Sequence, residues 1–326
     1  MSVLIVTRSD DNACIGMVQR ALAERGVAST RLDTDRYPQQ LRVSTRLVGG
    51  AWEKVLATES ERVDLSDTTA VWYRRFFAGG RLPKSLGDTR EACVNESRRT
   101  LYGVIASLGC FELDPLSVVR NCDHKELQIG RAATLGLDVP DTLFTNDAAE
   151  VRRFFDEHDG KVVTKMQSSF AIYRGGEEQV VFTNQVSRDD LAELENIRYA
   201  PMIFQSKVDK MMELRATVVG RQVFTASIDS QRSKSTEVDW RRDGVGLIGD
   251  WQPYDLPADV EAKLLALTEA FGLNYAAADF IVAPDGRHVF LEINAGGEWF
   301  WLQRAPGLPI AEALADTLIG RVPRAG

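Results

Sequence analysis

Apolar and polar positions alternate along the first third of the chain in a way that predicts an α/β unit. An apolar run at 3–7 is followed by a polar loop and by a helical pattern that stops at Gly26, a natural helix C-cap. The segment 27–32 can then return as a parallel strand. Alternation within 41–56, interrupted by two glycines, predicts a hairpin, and a long helix at about 88–108 closes the region.

The rest of the chain mixes helical and strand periods. Asp123 and Glu126 form a capping-box pattern for a helix that ends at Gly136. Further helices are predicted at 147–156, at 188–196 (an acidic segment), at 258–271 and at 310–319. Strands are predicted at 139–143, 161–165, 179–182 and 202–205, and as two hairpins, 212–219 with 222–228 and 275–283 with 288–294.

Composition and charge narrow the classes of function. The 326 residues carry a net charge of -8, and a nucleic-acid-binding surface, which normally shows a basic excess, is therefore not expected. The four cysteines lack C-x-x-C spacing and are expected to be reduced thiols. No signal-peptide pattern opens the sequence, and no apolar run reaches the roughly 18 residues of a membrane span. A soluble, cytoplasmic protein that does not contact membranes is the expectation.

The last predicted hairpin carries a candidate metal site. A four-residue turn at 284–287 would pair Ala283 with His288 and place Asp279 opposite Glu292. His288, Phe290, Glu292 and Asn294 would then share one face, so Asp279, Glu292 and Asn294 would present three oxygen ligands suited to Mg²⁺. The alternative is the solvated face of an edge hairpin. Asp279 argues against it, since it interrupts an apolar run where an unpartnered carboxylate is costly.

Two lysines are candidates for binding phosphates. Lys125 lies in the first turn of its predicted helix, where the helix dipole disfavours a cation, so an anion nearby is expected. Lys165 ends an apolar strand and opens a polar, glycine-bearing loop that could act as a lid over a nucleotide. Taken singly, each could instead be a surface lysine.

The segment that follows the predicted strand at 202–205 could hold the rest of a nucleotide. Gln205, Lys207 and Val208 could form a hinge on which adenine lies. Glu213 could reach the ribose, and Arg215 a phosphate, since a guanidinium suits multidentate recognition of oxygen. Each of these signals is weak alone, and their order along the chain is more informative.

That order resembles an ATP-grasp ligase over roughly residues 120–320. The matching motifs are N-x-x-H-K (121–125), G-L-x-V-P-x-T (136–142), V-V-T-K (162–165), I-F-Q-x-x-V (203–208), E-L-R (213–215), A-x-D-F (277–280) and L-E-I-N (291–294). Three more resemble the ribosomal peptide maturases of microviridin or graspetide type: V-W-Y-R-R (71–75), D-W-R (239–241) and N-A-G-G-E-W-F-W (294–301). The last departs from the family's usual N-P-N-G-Q-W at Ala295 and Glu298, and it retains Asn294.

The resemblance implies an α/β fold of ATP-grasp type. A Rossmann-like pre-ATP-grasp domain would occupy 1–118, and two α+β subdomains, 119–200 and 201–326, would sandwich ATP, with the metal site in the last. The implied reaction uses ATP and Mg²⁺ to phosphorylate Glu or Asp side chains of a ribosomal precursor peptide. A Thr or Ser hydroxyl or a Lys amine then attacks, giving a lactone or lactam.

The same resemblance assigns residues to the peptide. Arg215, Lys234 and Arg241 would orient the acylphosphate or the acceptor carboxylate. An acidic helix carrying Asp189, Asp190 and Glu193 would bind the leader segment of the precursor, although the same residues also fit an ordinary solvated helix face. Such enzymes often form dimers, and a homodimer is an oligomeric state that the resemblance allows.

Two other functions fit the sequence. One is an ATP-grasp ligase that joins free amino acids, such as a glutamate ligase. The other is a catalytically silent nucleotide-binding partner, against which the retention of three metal-ligand candidates and both lysines argues. A short neighbouring reading frame that encodes a peptide rich in Thr and Glu or Asp would distinguish a peptide maturase from a small-substrate ligase.

Overall fold

A computed structural model describes residues 1–59, 61–167, 171–174, 177–180, 183–232 and 248–324, with the backbone alone for the two short stretches 171–174 and 177–180. The N-terminal part contains the elements β1 (Ser2–Thr7), α1 (Cys14–Glu24), β2 (Ala28–Asp33), β3 (Arg42–Val48), β4 (Ala51–Ala57), β5 (Arg62–Asp64), β6 (Thr68–Tyr73), α2 (Arg90–Ala106), β7 (Phe111–Leu113) and α3 (Leu116–Cys122). Strands β2, β1, β6 and β7 form a parallel sheet in that order, and β3, β4 and β5 form a separate antiparallel sheet.

Residues 3–6 of strand β1 are all apolar because both faces of the strand are covered. Val3 and Ile5 pack into a cluster with residues of α1, while Leu4 and Val6 pack with residues of α2. A parallel strand buried on two sides is expected to read as a continuous apolar run. Its parallel partner β2 and the β3–β4 hairpin confirm the elements predicted for this region.

The middle part contains α4 (Lys125–Thr134), β8 (Thr142–Thr145), α5 (Ala148–Glu157), β9 (Val162–Lys165), β10 (Ala171–Arg174), β11 (Glu177–Val180), β12 (Asn184–Gln185) and β13 (Met202–Ser206). Strands β12, β9, β13 and β8 form a central antiparallel sheet, and β10 pairs with β11. Because β13 completes the central sheet, the strand order favours a subdomain boundary after Ser206 rather than at 200, and the boundaries stay a prediction.

The C-terminal part contains β14 (Met212–Val219), β15 (Gln222–Ile228), β16 (Gln252–Pro253), α6 (Ala258–Phe271), β17 (Tyr275–Val282), β18 (His288–Asn294), α7 (Phe300–Arg304) and α8 (Ile310–Leu318). Its five-stranded antiparallel sheet has the order β16-β15-β14-β17-β18. One face packs on α6 and α4 through an apolar cluster. A second cluster joins β14, β15 and α8 to α1 and β1, so the N-terminal and C-terminal parts share a core.

Two predicted helix features are wrong. The acidic segment forms two short 3-10 helices, Asp190–Ala192 and Leu194–Tyr199, instead of one α-helix over 188–196. Helix α4 begins after His124, without a side-chain cap, because Asp123 already ends α3; the predicted capping box therefore does not form.

Among the described helices, none is both long and apolar enough to cross a membrane.

Candidate active site

The two carboxylates of the candidate metal site face each other across neighbouring strands. Asp279 of β17 pairs with Glu292 of β18, as predicted, and Ala277 pairs with Asn294. The predicted pairing of Ala283 with His288 is wrong, because Val282 takes that position.

A bulge in β18 explains why the predicted pairing holds at one end of this hairpin and fails at the other. Leu291 has no partner in the register, and one extra residue in β18 restores the alignment of Asp279 with Glu292. The bulge also turns Phe290 into the core, where its ring meets Phe280 edge-on at 5.5 Å, so the prediction that Phe290 shares the face of Glu292 is wrong. Glu292 is consequently separated from the apolar side of the sheet.

The two predicted phosphate-binding lysines converge on Glu292. The Nζ atoms of Lys125 and Lys165 lie 3.2 Å and 3.6 Å from the same carboxylate oxygen, Oε2 of Glu292. Lys125 is the first residue of α4 and Lys165 the last of β9, so helix, central sheet and C-terminal sheet meet here. Their side chains are only 16% and 15% exposed, which is unlike the surface-lysine alternative.

Arg215 makes the matching contact with the other carboxylate. It pairs with Asp279 in the β14–β17 register, and its Nη1 lies 2.9 Å from Oδ1 of Asp279. The guanidinium is buried and lies 5.8 Å from the centroid of the Trp301 ring. A charge-assisted pair of this kind holds a planar cation in a fixed orientation.

The residues predicted to bind adenine lie at the end of strand β13 of the central sheet and directly after it. Gln205 is buried and donates from Nε2 to Oγ1 of Thr142 at 3.0 Å. The backbone N–H of Lys207 donates to the carbonyl of Lys161 at 2.8 Å, and Val208 follows directly. The segment 205–208 therefore extends the pairing of β13 with β9 by one residue beyond Ser206.

Glu213 has partners that the sequence analysis missed. Its Oε1 accepts from Nζ of Lys210 at 2.6 Å and from the hydroxyl of Ser230 at 2.7 Å. The position of Lys210 three residues before Glu213 was a signal for this pair. Ser230 follows β15, and only the β14–β15 pairing brings it close.

The structure describes only some of the residues that were predicted to contact the peptide. Lys234 and Arg241 lie outside the described residues. Asp189, Asp190 and Glu193 are exposed in the 3-10 segment. Among the described residues, no contact connects them with Glu292 or with the two lysines beside it. A hydrogen bond from the hydroxyl of Ser187, and then one from its backbone N–H, lower the pKa of Asp190.

A second set of charged residues, drawn from two of the sequence motifs whose contact was not predicted, lies beside the metal-site candidates. Arg74 and Arg75 follow β6 and both contact the carboxylate of Glu298. We call these three residues the arginine clamp. Glu298 belongs to the loop that begins at Asn294, whose Oδ1 accepts from the backbone N–H of Gly296 at 2.8 Å.

The available donors fit a hard cation that is shared with a nucleotide. Among the described residues, no group of three or more His, Cys, Asp or Glu side chains is arranged to hold a metal ion. Asp279, Glu292 and Asn294 instead offer two carboxylates and an amide, next to cations that can bind phosphate. Mg²⁺ is commonly held by one or two carboxylates together with substrate phosphates.

Comparison with known proteins agrees with this arrangement. Residues 2–120 match the family model of the MvdD pre-ATP grasp domain. The structure is similar to that of a RiPP-associated ATP-grasp ligase from Chryseobacterium gregarium in complex with ADP and a leader and core peptide, with 40% identity, a TM-score of 0.95, and coverage of 99% of this chain and 98% of that one. It is also similar to the macrocyclase MdnC of Microcystis aeruginosa, bound with precursor peptide MdnA, with 42% identity, a TM-score of 0.89, and coverage of 98% and 100%.

A more distant relative is the human N-acetylaspartylglutamate synthase A, 23% identical over 239 residues that make up 70% of this chain and 57% of that protein. The chain thus spans little more than half the length of this curated relative. The likeness to the two solved ligases, in contrast, extends over nearly all of both chains. The chain therefore belongs to the RiPP-associated ATP-grasp ligases, enzymes connected with ribosomally synthesised and post-translationally modified peptides.

Proposed function

We propose that this ATP-grasp ligase closes rings in a ribosomal precursor peptide, using ATP and Mg²⁺ to activate Glu or Asp side chains. The observation that carries the proposal is the convergence of Lys125 and Lys165 on Glu292, opposite the Asp279–Arg215 pair. The two similar ligases bind a leader and core peptide and a precursor peptide, respectively, which supports a peptide as the substrate here.

Asp279, Glu292 and Asn294 are the residues that would hold Mg²⁺, which draws negative charge from a transferring phosphoryl group when bound. Lys125 and Lys165 bind the phosphates. In the structure these lysines neutralise Glu292, so binding of the nucleotide exchanges a carboxylate partner for phosphate oxygens. Gln205, Lys207 and Val208 receive the adenine, and Glu213, oriented by Lys210, receives the ribose.

The reaction proceeds in two transfers. An oxygen of the substrate carboxylate attacks the γ-phosphorus, the bond to the bridging oxygen breaks, and ADP leaves, giving an acylphosphate. A Thr or Ser hydroxyl or a Lys amine of the same peptide then attacks the acyl carbon, loses its proton, and expels phosphate. Each ring therefore removes the elements of one water. The protein contributes position and charge, as in other phosphoryl transfers.

Arg215 orients the transferring group, because its guanidinium is held in place by Asp279 at the edge of the site. Lys234 and Arg241 have the same role in the proposal and lie outside the described residues. Asp189, Asp190 and Glu193 contribute to leader binding. A cytoplasmic location and a homodimer also stay proposals; all four cysteines are free, as a reducing compartment would favour.

The direct test incubates the purified protein with the peptide encoded beside its gene, ATP and Mg²⁺. Mass spectrometry is expected to show the loss of one water per ring, with one ADP formed for each. Omission of Mg²⁺ should abolish both signals. If the peptide stays unchanged while free glutamate or a dipeptide stimulates ADP release, the protein is a small-substrate ligase and the proposal is wrong.

A further inference from the structure

We infer that Glu298 is a positioning residue: through the arginine clamp it fixes the loop 294–299 and thereby sets the geometry of Asn294 at the metal edge. The inference rests on the proposed function for the role of Asn294 and on the structure for the clamp itself.

The carboxylate of Glu298 is divided between two guanidiniums. Its Oε1 contacts Nη2 of Arg75, and its Oε2 contacts Nη2 of Arg74 and the side-chain amide of Asn12. The side chain of Arg74 is only 2% exposed. Asn12 lies in the loop that connects β1 to α1, and the two arginines directly follow β6, so one loop of the C-terminal part is tied to the carboxyl edge of the N-terminal sheet.

The same arginines hold the backbone of the loop. Nη1 of Arg74 donates to the carbonyl of Gly296 at 2.5 Å, and Nη1 of Arg75 lies 3.4 Å from that oxygen. The N–H of Gly296 in turn donates to Oδ1 of Asn294 at 2.8 Å. A single residue, Gly296, therefore connects the clamp, through its carbonyl, to the side chain predicted to bind the metal, through its N–H.

The loop is also pressed against the strand that carries Asp279. A Cβ on Gly297 would lie 2.4 Å from the Cβ of Ala277, and the hydroxyl of Tyr275 donates to the carbonyl of Gly297 at 2.7 Å. Ala277 is the register partner of Asn294. The loop has little freedom on this side, and the clamp restrains the other side.

A glutamate suits this position better than a neutral residue. Two guanidiniums require two acceptor oxygens, and a carboxylate supplies one to each: Arg75 donates a charge-assisted hydrogen bond to Oε1, and Arg74 forms an ion pair with Oε2. Truncation of Glu298 would leave a buried cation at Arg74 without its nearest anion, which is strongly unfavourable. The loop is then expected to shift toward another partner and to carry Asn294 with it.

The experiment compares Glu298→Ala and Glu298→Gln with a matched control, Asp316→Ala. Asp316 binds Arg25 through both oxygens, at 2.8 Å and 2.7 Å, and also joins the C-terminal part to the N-terminal part. The side chains of Asp316 and Glu298 are 25% and 30% exposed, so the two carboxylates are comparably accessible. Among the described residues, the Asp316 carboxylate pairs with Arg25 and Arg321, which lie outside the loop 294–299.

Two measurements are made on each protein. The rate of amide hydrogen exchange in the segment 294–302 without ligands shows whether the clamp still restrains the loop. Calorimetry of ADP binding over a series of Mg²⁺ concentrations shows how well the candidate metal site supports nucleotide binding. Glu298→Ala is expected to speed exchange and to raise the half-maximal Mg²⁺ concentration by about tenfold, the scale for groups that orient metal ligands. Glu298→Gln should raise the exchange rate and the half-maximal Mg²⁺ concentration less than Glu298→Ala does. Asp316→Ala should change neither quantity.

Wild-type exchange in Glu298→Ala would overturn the inference whatever the protein binds. Faster exchange or a lower melting temperature with an unchanged Mg²⁺ dependence would also overturn it, since the clamp would then be structural only. If the wild type itself binds ADP without any Mg²⁺ dependence, the metal assignment in the proposed function is wrong, and the role of Glu298 toward it fails with it.

Discussion

At the scale of single residues, one carboxylate is the point at which three distant elements meet. Glu292 of β18 contacts Lys125 at the start of α4 and Lys165 at the end of β9. Its pairing with Asp279 could be predicted, because a hairpin register is local and the bulge at Leu291 preserved that pair. The contacts with the two lysines could not, since only the order of the motifs along the chain indicated them. The arginine clamp likewise joins two motifs more than 200 positions apart, and no local pattern predicted their contact.

Glu292 is the residue whose change should affect chemistry most. Glu292→Gln keeps the size of the side chain, removes a metal-binding charge, and takes the common partner from both lysines. ATP turnover with the precursor should fall by about 100-fold or more, with little change in melting temperature. Asp285→Asn is the control, because Asp285 lies in the turn of the same hairpin and pairs with Arg287. Wild-type turnover in folded Glu292→Gln would remove Glu292 from the site.

The lysines should affect nucleotide binding rather than peptide binding. Lys125→Met or Lys165→Met removes a charged hydrogen bond to phosphate, which corresponds to a loss of about 10- to 100-fold in affinity. Calorimetry with ATP and with the peptide alone separates the two effects. Lys263→Met is the matched control, since Lys263 pairs with Asp259 on the surface of α6. Equal ATP affinity in all three variants and the wild type would favour the surface-lysine interpretation.

At the scale of elements, periodicity predicted the hairpins and long helices and failed in the acidic segment. Asp190 accepts hydrogen bonds from the hydroxyl and backbone N–H of Ser187, and its own N–H donates to that hydroxyl at 3.3 Å, so a reciprocal cap starts the segment without making it α-helical. Leu191 and Leu194 both pack toward α5. Within the second 3-10 helix, Leu194 and Ile197 are three residues apart, which matches its three residues per turn, and both pack in the apolar cluster that includes residues of α5.

The acidic segment tests how the leader is recognised. Asp189→Ala with Glu193→Ala removes two exposed charges and leaves the Asp190 turn intact. Affinity for the full precursor is expected to drop severalfold at low salt and less at high salt, because exposed charge pairs are screened, while ATP affinity stays unchanged. The control replaces Glu59 and Glu61, two exposed acids elsewhere, by Ala. Equal precursor affinity in both double variants at low salt would make the segment an ordinary solvated surface.

At the scale of the whole molecule, the succession of elements was predictable and their assembly was not. The parallel pair of β1 and β2 and the C-terminal hairpins follow from local patterns. The shared core is different, because α8, at the end of the chain, packs against α1, near its beginning. Both helices have ordinary apolar faces, and the pattern of neither face indicates which element packs against it. Strand β6, recognised only as a motif, completes the sheet between β1 and β7.

Asp114 links the two parts of this shared core and gives the molecule a pH dependence. Its carboxylate, directly after β7, accepts from the backbone N–H groups of Asn274 and Tyr275, both at 2.9 Å, and from the Asn274 amide at 3.1 Å. Burial nevertheless raises the pKa of Asp114 from 3.8 to about 6. The folded protein thus holds this proton more tightly than the unfolded chain does, and the stability gained from protonation is lost as the pH rises through about 6.

Asp114→Asn isolates this effect, because Asn is neutral throughout and every other titrating group is common to both proteins. The melting temperature of the wild type minus that of Asp114→Asn should be largest below 3.8, decline as the pH rises toward 6, and level off above about 7. A carboxylate stabilised by an arginine, such as Asp316 beside Arg25, has a lowered pKa and would give the opposite slope. Calorimetric melting over this pH range decides the sign. A difference that grows with pH would mean that the three N–H donors outweigh burial, so that Asp114 joins the two parts as a stable carboxylate.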